Sequence, residues 1–408
     1  MLIIMCVASF SNHGDSLYMK YYHSKLLSIM LCLNKYVLIF LNTKRLLIIS
    51  ITISGTIPII LGCNQKKLNP HELFDMFEHK VSVSTNLLFE NNEINGYGIT
   101  MLDTLLLMKI QGSYNYQIYD LKNKRPVKRF GRQGRGPGEY PMLPQFIFQS
   151  PEHGNLKVLY RNRLDIYSID SLINSENYLP TSHAIPEGPV FLRASQVNPK
   201  TIIGIGLFEK GMYGIIHEGE YTGSYIDYPL NEKYNNIEPY LLAIAYQGFI
   251  VCHPSDDKCV RAFSNGGVLQ FLTISNGTPI ITNQIITTLP DIEIRTIAGA
   301  TSARATSDTR GYRGLAGTSG FVYAIYSDLI PDSRETHIRS MYGKHLLVFD
   351  WEGNPLIHFT LDEGISSLFV DQNDKYAYGS TSMGDIVRIP IFLNSRLKQE
   401  DIVNKVCQ

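Results

Sequence analysis

Lys128, Arg129, Arg132 and Arg135 crowd one glycine-rich stretch, Phe130-Gly131-Arg132-Gln133-Gly134-Arg135-Gly136-Pro137-Gly138-Glu139-Tyr140. Such a loop exposes backbone N–H groups beside positive side chains, which is the chemistry of anion docking, and Arg132, Arg135, Glu139 and Tyr140 are its candidate binding residues. A phosphate-cradling nucleotide loop is excluded, because no Lys-Ser or Lys-Thr follows and no helix pattern begins there. The dinucleotide fingerprint fails for the same reason. The alternative is a tight connection between strands, with the arginines paired to Glu139 or to strand-end carbonyls.

A second cluster lies in Ile297 to Gly320, rich in Gly, Ala, Ser and Thr, where Arg310, Tyr312 and Arg313 could meet a carbohydrate or peptide. The other reading is a solvated loop. Catalysis is not spelled out: there is no His-Glu-x-x-His and no Gly-x-Ser-x-Gly elbow, and the 11 histidines are scattered. Carboxylates for glycoside chemistry could still converge from distant segments. No metal and no cofactor are assigned.

Cysteine points to a covalent fate of another kind. Lys44-Arg45, the apolar run Leu46 to Leu61, then Gly62-Cys63 make a lipoprotein signal. The peptidase needs an apolar segment, a small residue at −1 and a thiol that can carry diacylglycerol, so Cys63 becomes the lipid-bearing first residue. The rival is a retained span, for which the run is short and is interrupted by Ser54, Gly55, Thr56 and Pro58. Residues 1–62 are read as an extension and signal that is removed, residues 63–79 as a lipidated linker and residues 80–408 as the folded domain. Asn64 lacks the acidic character that often accompanies inner-membrane retention, which favours the outer membrane. In Cys252-His253-Pro254-Ser255-Asp256-Asp257-Lys258-Cys259 the two thiols face each other across a hairpin. The reading favours two unbridged thiols, with a Cys252–Cys259 disulfide as the alternative in an oxidising compartment.

The elements that must position these groups are strands. After the signal about 345 residues remain, 44% of the whole sequence being hydrophobic and 11% aromatic, enough for a large core. A formal charge of +0 argues against a nucleic-acid binder. From Leu68 to Leu397 short runs rich in Val, Ile, Tyr and Phe alternate with Gly, Asn, Asp and Pro clusters, and only Pro70 to His79 has a helical period. Tyr119-Asp120…Pro126…Phe130 matches Phe349-Asp350…Pro355…Phe359, and fainter copies end at Tyr167, Ile216, Ile274 and Ile389. Successive spacings from Tyr119 are 48, 49, 58, 75 and 40, near the roughly 40–50 residues of a four-stranded propeller blade. Six marks predict an all-β, six-bladed propeller of antiparallel four-stranded blades, a pair of β-sandwiches being the rival. The ring needs a closing strand, for which Val81-Ser82-Val83 or Leu87-Leu88-Phe89 could serve. The 75-residue gap predicts an insertion on one face, containing Ile297 to Gly320.

The glycine-rich stretch, with Pro144, Asn155-Leu156-Lys157-Val158 and Asn162-Arg163-Leu164-Asp165-Ile166-Tyr167, resembles an NHL-type propeller repeat. In that family an Asn-x-Arg helps hold the blade; here Asn162 and Arg163 are adjacent and Tyr160 stands where Asp is usual, which alters the clasp. With the lipid signal and the Val348-Phe349-Asp350-Trp351-Glu352-Gly353-Asn354-Pro355 blade, the chain from Cys63 onward resembles the TolB-like six-bladed β-propeller lipoproteins of Gram-negative envelopes. The resemblance implies the fold and a cell-envelope address, and makes the architectural reading of the glycine-rich loop the favoured one. The expected function is a non-catalytic, membrane-anchored propeller that binds a protein, peptide or glycan through one face; the alternatives are a lyase or hydrolase working in the channel, or a subunit of an outer-membrane assembly.

Overall fold

The computed structural model describes residues 38–42, 45–49, 68–90, 96–102, 105–141, 145–148, 155–161, 163–185, 189–229, 234, 237–297, 300–306, 311–330 and 333–393. The chain divides into two units, Met1–Gly62 and Cys63–Gln408. In the first, Leu38–Asn42 pairs antiparallel with Arg45–Ile49. Cys63 and most of the signal lie outside the described residues.

The second unit is a six-bladed propeller. Blade one is Gly96–Leu102, Leu105–Ile110, Tyr114–Asp120 and Arg125–Arg132; blade two is Gln145–Phe148, Asn155–Tyr160, Arg163–Ser168 and Thr181–Ala184. Blade three is Val190–Asn198, Thr201–Leu207, Tyr213–His217 and Glu220–Tyr225; blade four is Gly248–Cys252, Lys258–Phe263, Val268–Ser275 and Thr278–Ile286. Blade five is Gly311–Gly317, Val322–Ser327, Gly343–Phe349 and the first part of Pro355–Val370. The remainder of that strand opens blade six, followed by Tyr376–Thr381 and Ile386–Pro390. Asn86–Phe89 completes blade six by pairing with Ile386–Pro390. Both N-terminal segments are used: His79–Val83 adds in parallel to residues 357–361 at the rim of blade five.

Period-two side-chain alternation builds the core. Each blade is sandwiched between two others, so neighbouring residues of one strand serve opposite seams. Leu107 packs with Tyr116, Leu156 and Val158 between blades one and two, whereas Leu106 packs with Phe89, Tyr378 and Ile386 between six and one. Ile250 and Cys252 join the seam with blade three, and Val251 the seam with blade five. The six repeat marks, Tyr119, Tyr167, Ile216, Ile274, Phe349 and Ile389, all fall on the third strand of a blade. In two of them the repeat's Asp nucleates the following turn. Asp120 Oδ1 accepts from Lys122 N at 2.9 Å and Asn123 N at 3.0 Å; Asp350 Oδ1 accepts from Glu352 N at 3.0 Å and Asn354 N at 2.8 Å.

The helical period near Pro70 becomes a short helix, Pro70–Asp75, with Pro in its first turn and Glu72 Oε2 accepting from Asn69 N at 2.7 Å. It runs along the rim between blades four and five, burying Leu68, Leu73 and Phe77 against Phe271, Tyr326 and Phe349. The 75-residue gap holds an inserted hairpin, Ile292–Ile297 with Ala300–Ala305, and a helix, Arg334–Ser340. One expectation is corrected. Only the first part of Ile297 to Gly320 is insertion, because Gly311–Gly317 is the inner strand of blade five. That strand is glycine-rich because its neighbours crowd it: a Cβ on Gly314 would stand 2.8 Å from Leu368 Cβ, and one on Gly317 2.8 Å from the Trp351 ring. Among the described residues, no helix is long and apolar enough to cross a membrane.

Candidate functional site

Antiparallel blades place alternate connections at opposite ends of the ring, and the two ends differ. One end carries mostly tight turns, such as 121–124, 276–277 and 350–354, with one longer connection, the short helix Ile169–Asn174 and the residues after it in blade two. The other carries the glycine-rich loop after blade one, a helix at Pro239–Ala245 before blade four, the inserted hairpin after it, and the Arg334–Ser340 helix within blade five. Elaborated connections on a rigid scaffold are where ligands are met, so this end is the candidate site.

The glycine-rich loop is held from within. Gly131 and Gly138 adopt φ of 64° and 69°, which side chains resist. Gln133 N donates to Ser113 O at 2.8 Å, Tyr140 N to Arg132 O at 2.9 Å and Glu139 N to Gly136 O at 3.0 Å. Glu139 supplies the anion itself, its Oε2 accepting from Gly136 N at 2.9 Å. Arg132 Nε lies 3.9 Å from Glu139 Oε1 with its side chain largely in solvent, and Arg135 is exposed. Tyr140 does not face solvent: it is fully buried and donates to Asp165 Oδ2 at 2.6 Å, leaving the Tyr167 hydroxyl, 2.8 Å away, to donate to its oxygen. Burial first, then the neighbouring Tyr167 and Asp165, raise the Tyr140 pKa far above its ordinary value, so it stays a neutral donor. Arg163 completes the clasp: Nε is 3.0 Å from Asp165 Oδ2, and NH2 donates to Glu139 O at 3.0 Å. The altered clasp of Arg163 without a preceding Asp is thus rebuilt around Asp165; Asn162 lies outside the described residues. The loop is braced by its own bonds, with Arg132 and Arg135 left on its surface.

Tyr312 and Arg313 sit on the inner strand of blade five, and neither is a free surface group. Tyr312 is fully buried against Tyr326, ring centroids 5.2 Å apart. Arg313 donates from Nε to Ser340 O at 2.5 Å and from NH1 to Ser264 O at 2.6 Å, tying blade four and the Arg334–Ser340 helix to blade five. Burial lowers its pKa to about 10, still charged at neutral pH. Arg310 lies outside the described residues. The structure therefore gathers Arg132, Arg135, Glu139 and Tyr140 on one loop and places Tyr312 and Arg313 in a blade.

Cys252 and Cys259 are joined in a disulfide across the first hairpin of blade four, at the turn end. This replaces the favoured expectation of two free thiols. The pair is a non-hydrogen-bonded one, Cys252 N donating instead to Ser195 Oγ at 3.0 Å, and such pairs bring Cα atoms close.

Two groups escaped the sequence. His345 Nδ1 lies 2.9 Å from His358 Nε2, and the Phe74 ring covers both at 4.3 and 4.8 Å. Residues 13 apart on paired strands carry no motif, and Phe74 comes from the far end of the chain. Arg193, on the inner strand of blade three, stacks over Phe249 at 4.6 Å, and burial lowers its pKa. Among the described residues no three His, Cys, Asp or Glu side chains gather where they could hold a metal ion.

The family described as TolB-like 6-blade propeller-like matches residues 88–373. No curated protein matches the chain. Among solved structures it is similar to the RRP9 WD40 repeats (10% identity, 75% of this chain and 97% of that one, TM-score 0.44). It is similar also to Kuenenia stuttgartiensis hydrazine synthase (12%, 76% and 97%, TM-score 0.41). The Myceliophteria thermophila Cps50 (Swd1) β-propeller domain is a third (11%, 75% and 99%, TM-score 0.39).

Proposed function

The chain belongs to the TolB-like 6-blade propeller-like family, and on that premise we propose that it is a non-catalytic lipoprotein of the cell envelope, acylated at Cys63, whose elaborated end binds a protein, peptide or glycan. The observation that carries the binding role is the unequal ends of the ring: long connections are concentrated at one end, over a frame held by six apolar seams. The Gly62-Cys63 signal supports the anchor, and the Cys252–Cys259 bridge suits an oxidising compartment. The outer membrane is the proposed site of anchoring, from Asn64.

The test is made on the full chain expressed in a Gram-negative host. Metabolic labelling with an alkynyl fatty acid should mark the wild type and leave Cys63→Ala unmarked. Envelope-protein pull-downs and glycan arrays should retain a ligand that Arg135→Glu weakens, Arg135 being a surface group the fold does not use. Retention of no ligand, together with turnover of a polysaccharide, would overturn the binding reading.

A further inference from the structure

We propose that blades four and five rest against the lipid bilayer through the elaborated end of the ring. The inference depends on acylation of Cys63, as proposed above. Leu68 is the first described residue of the propeller unit, and its N–H donates to Ile286 O at 2.8 Å. Ile286 ends the outer strand of blade four at the elaborated side. Five peptide steps separate Cys63 from Leu68, a reach of about 17 Å when fully extended. The strand Thr278–Ile286 spans 9 residues, so its turn end lies roughly 26 Å from its elaborated end. A ring standing on its turn end would lift Leu68 beyond the tether. The short leash thus excludes that footing and turns the blade-four and blade-five sector of the elaborated end to the membrane, while the loop bearing Arg132 and Arg135, after blade one on the far side of the ring, stays open to the proposed ligand.

The side chains there fit that neighbour. Among the described residues twelve large hydrophobics are well exposed, and half of them occupy this sector: Tyr240, Ile244, Ile294, Ile330, Ile338 and Met341, each 43–55% exposed. They come from three separate additions to the blades, the Pro239–Ala245 helix, the inserted hairpin and the segment around the Arg334–Ser340 helix. The last of these helices buries only Ser340 and presents Ile338 and Met341 outward beside Arg334 and Arg339. Apolar side chains interleaved with arginines suit the boundary between acyl chains and phosphate headgroups.

The experiment places single tryptophans in the full lipidated chain and reconstitutes it in phosphatidylethanolamine–phosphatidylglycerol vesicles, with and without brominated acyl chains. Native Trp351, buried at the turn end, gives the baseline. Ile338→Trp and Ile294→Trp are surface changes and should lose half or more of their added emission to bromine. Lys122→Trp, at the turn end of blade one, should lose none. Equal response at all three positions, or none at 338 and 294 in a chain whose mass shows the diacylglycerol, would overturn the orientation while leaving the anchor intact. A chain with no lipid at Cys63 would bring down both readings, and the mass spectrum separates the two failures.

Discussion

His358 gives the most quantitative expectation. Its ring is 5% exposed, stacked on Phe74 and hydrogen-bonded to His345. Burial first, then the charges at His345 and Lys80, lower its pKa from 6.5 to about 4, with Asp328 opposing. A native pKa below the unfolded one means that the unfolded chain binds the proton first, so stability is complete above about 6.5 and is lost as pH falls toward 4. At about 1.36 kcal/mol per pH unit the whole window is worth about 3 kcal/mol, a large share of the 5–15 kcal/mol typical of a domain. Asp120, Glu218, Glu293 and Asp362 also have lowered pKa values and add their own acid sensitivity, so a difference measurement is required. Urea unfolding of wild type and His358→Gln at pH 7, 6, 5 and 4 supplies it, since glutamine keeps a polar group but does not titrate. The stability advantage of the wild type should shrink by about 3 kcal/mol between pH 7 and pH 4. An advantage that stays constant with pH would refute the reasoning.

Three further outcomes follow from the geometry. Replacing Cys252 and Cys259 together by serine removes a bridge of sequence separation 7 and should cost about 2 kcal/mol, a loss that a reductant reproduces in wild type but not in the variant. Gly134→Ala would place a Cβ 2.0 Å from Glu139 Oε2, expelling the carboxylate from its bond to Gly136. Denaturant midpoints should then fall by about 1–3 kcal/mol equivalent. Phe89→Ala empties a site 2% exposed beside Tyr119. Calorimetry should show a loss of about 3–5 kcal/mol, against less than about 0.5 for Leu87→Ala on the exposed side of the same strand.

The ring was legible because third strands end in an aromatic or aliphatic residue before a polar turn, and Asp120 and Asp350 have a local reason to recur: their carboxylates accept backbone hydrogen bonds that organise the turn that follows. Closure by Leu87-Leu88-Phe89 was legible from the cost of an open edge. The inner strand Gly311–Gly317 was not, since the crowding that demands Gly314 and Gly317 comes from Leu368 and Trp351, 54 and 34 residues downstream. It therefore read as loop, and Tyr312 and Arg313 read as surface ligand groups. The glycine-rich loop was legible as a tight connection, but not the burial of Tyr140, which depends on Asp165 and Tyr167 arriving from the next blade. The cross-strand register Cys252↔Cys259 was legible from the spacing, but not that the pair falls at a close, non-hydrogen-bonded position where a bridge can form.

Closure by Asn86–Phe89 sets a timetable for biogenesis. That strand leaves the ribosome early, whereas Ile386–Pro390, its ladder neighbour in blade six, arrives about 300 residues later. At 5–20 residues per second the wait is roughly 15–60 s. Throughout it the nascent chain carries a bare β-edge and an apolar seam with one wall missing, the condition under which partly made proteins stick to one another. A chain exported as proposed above would carry that open seam across the membrane until its last blade had followed.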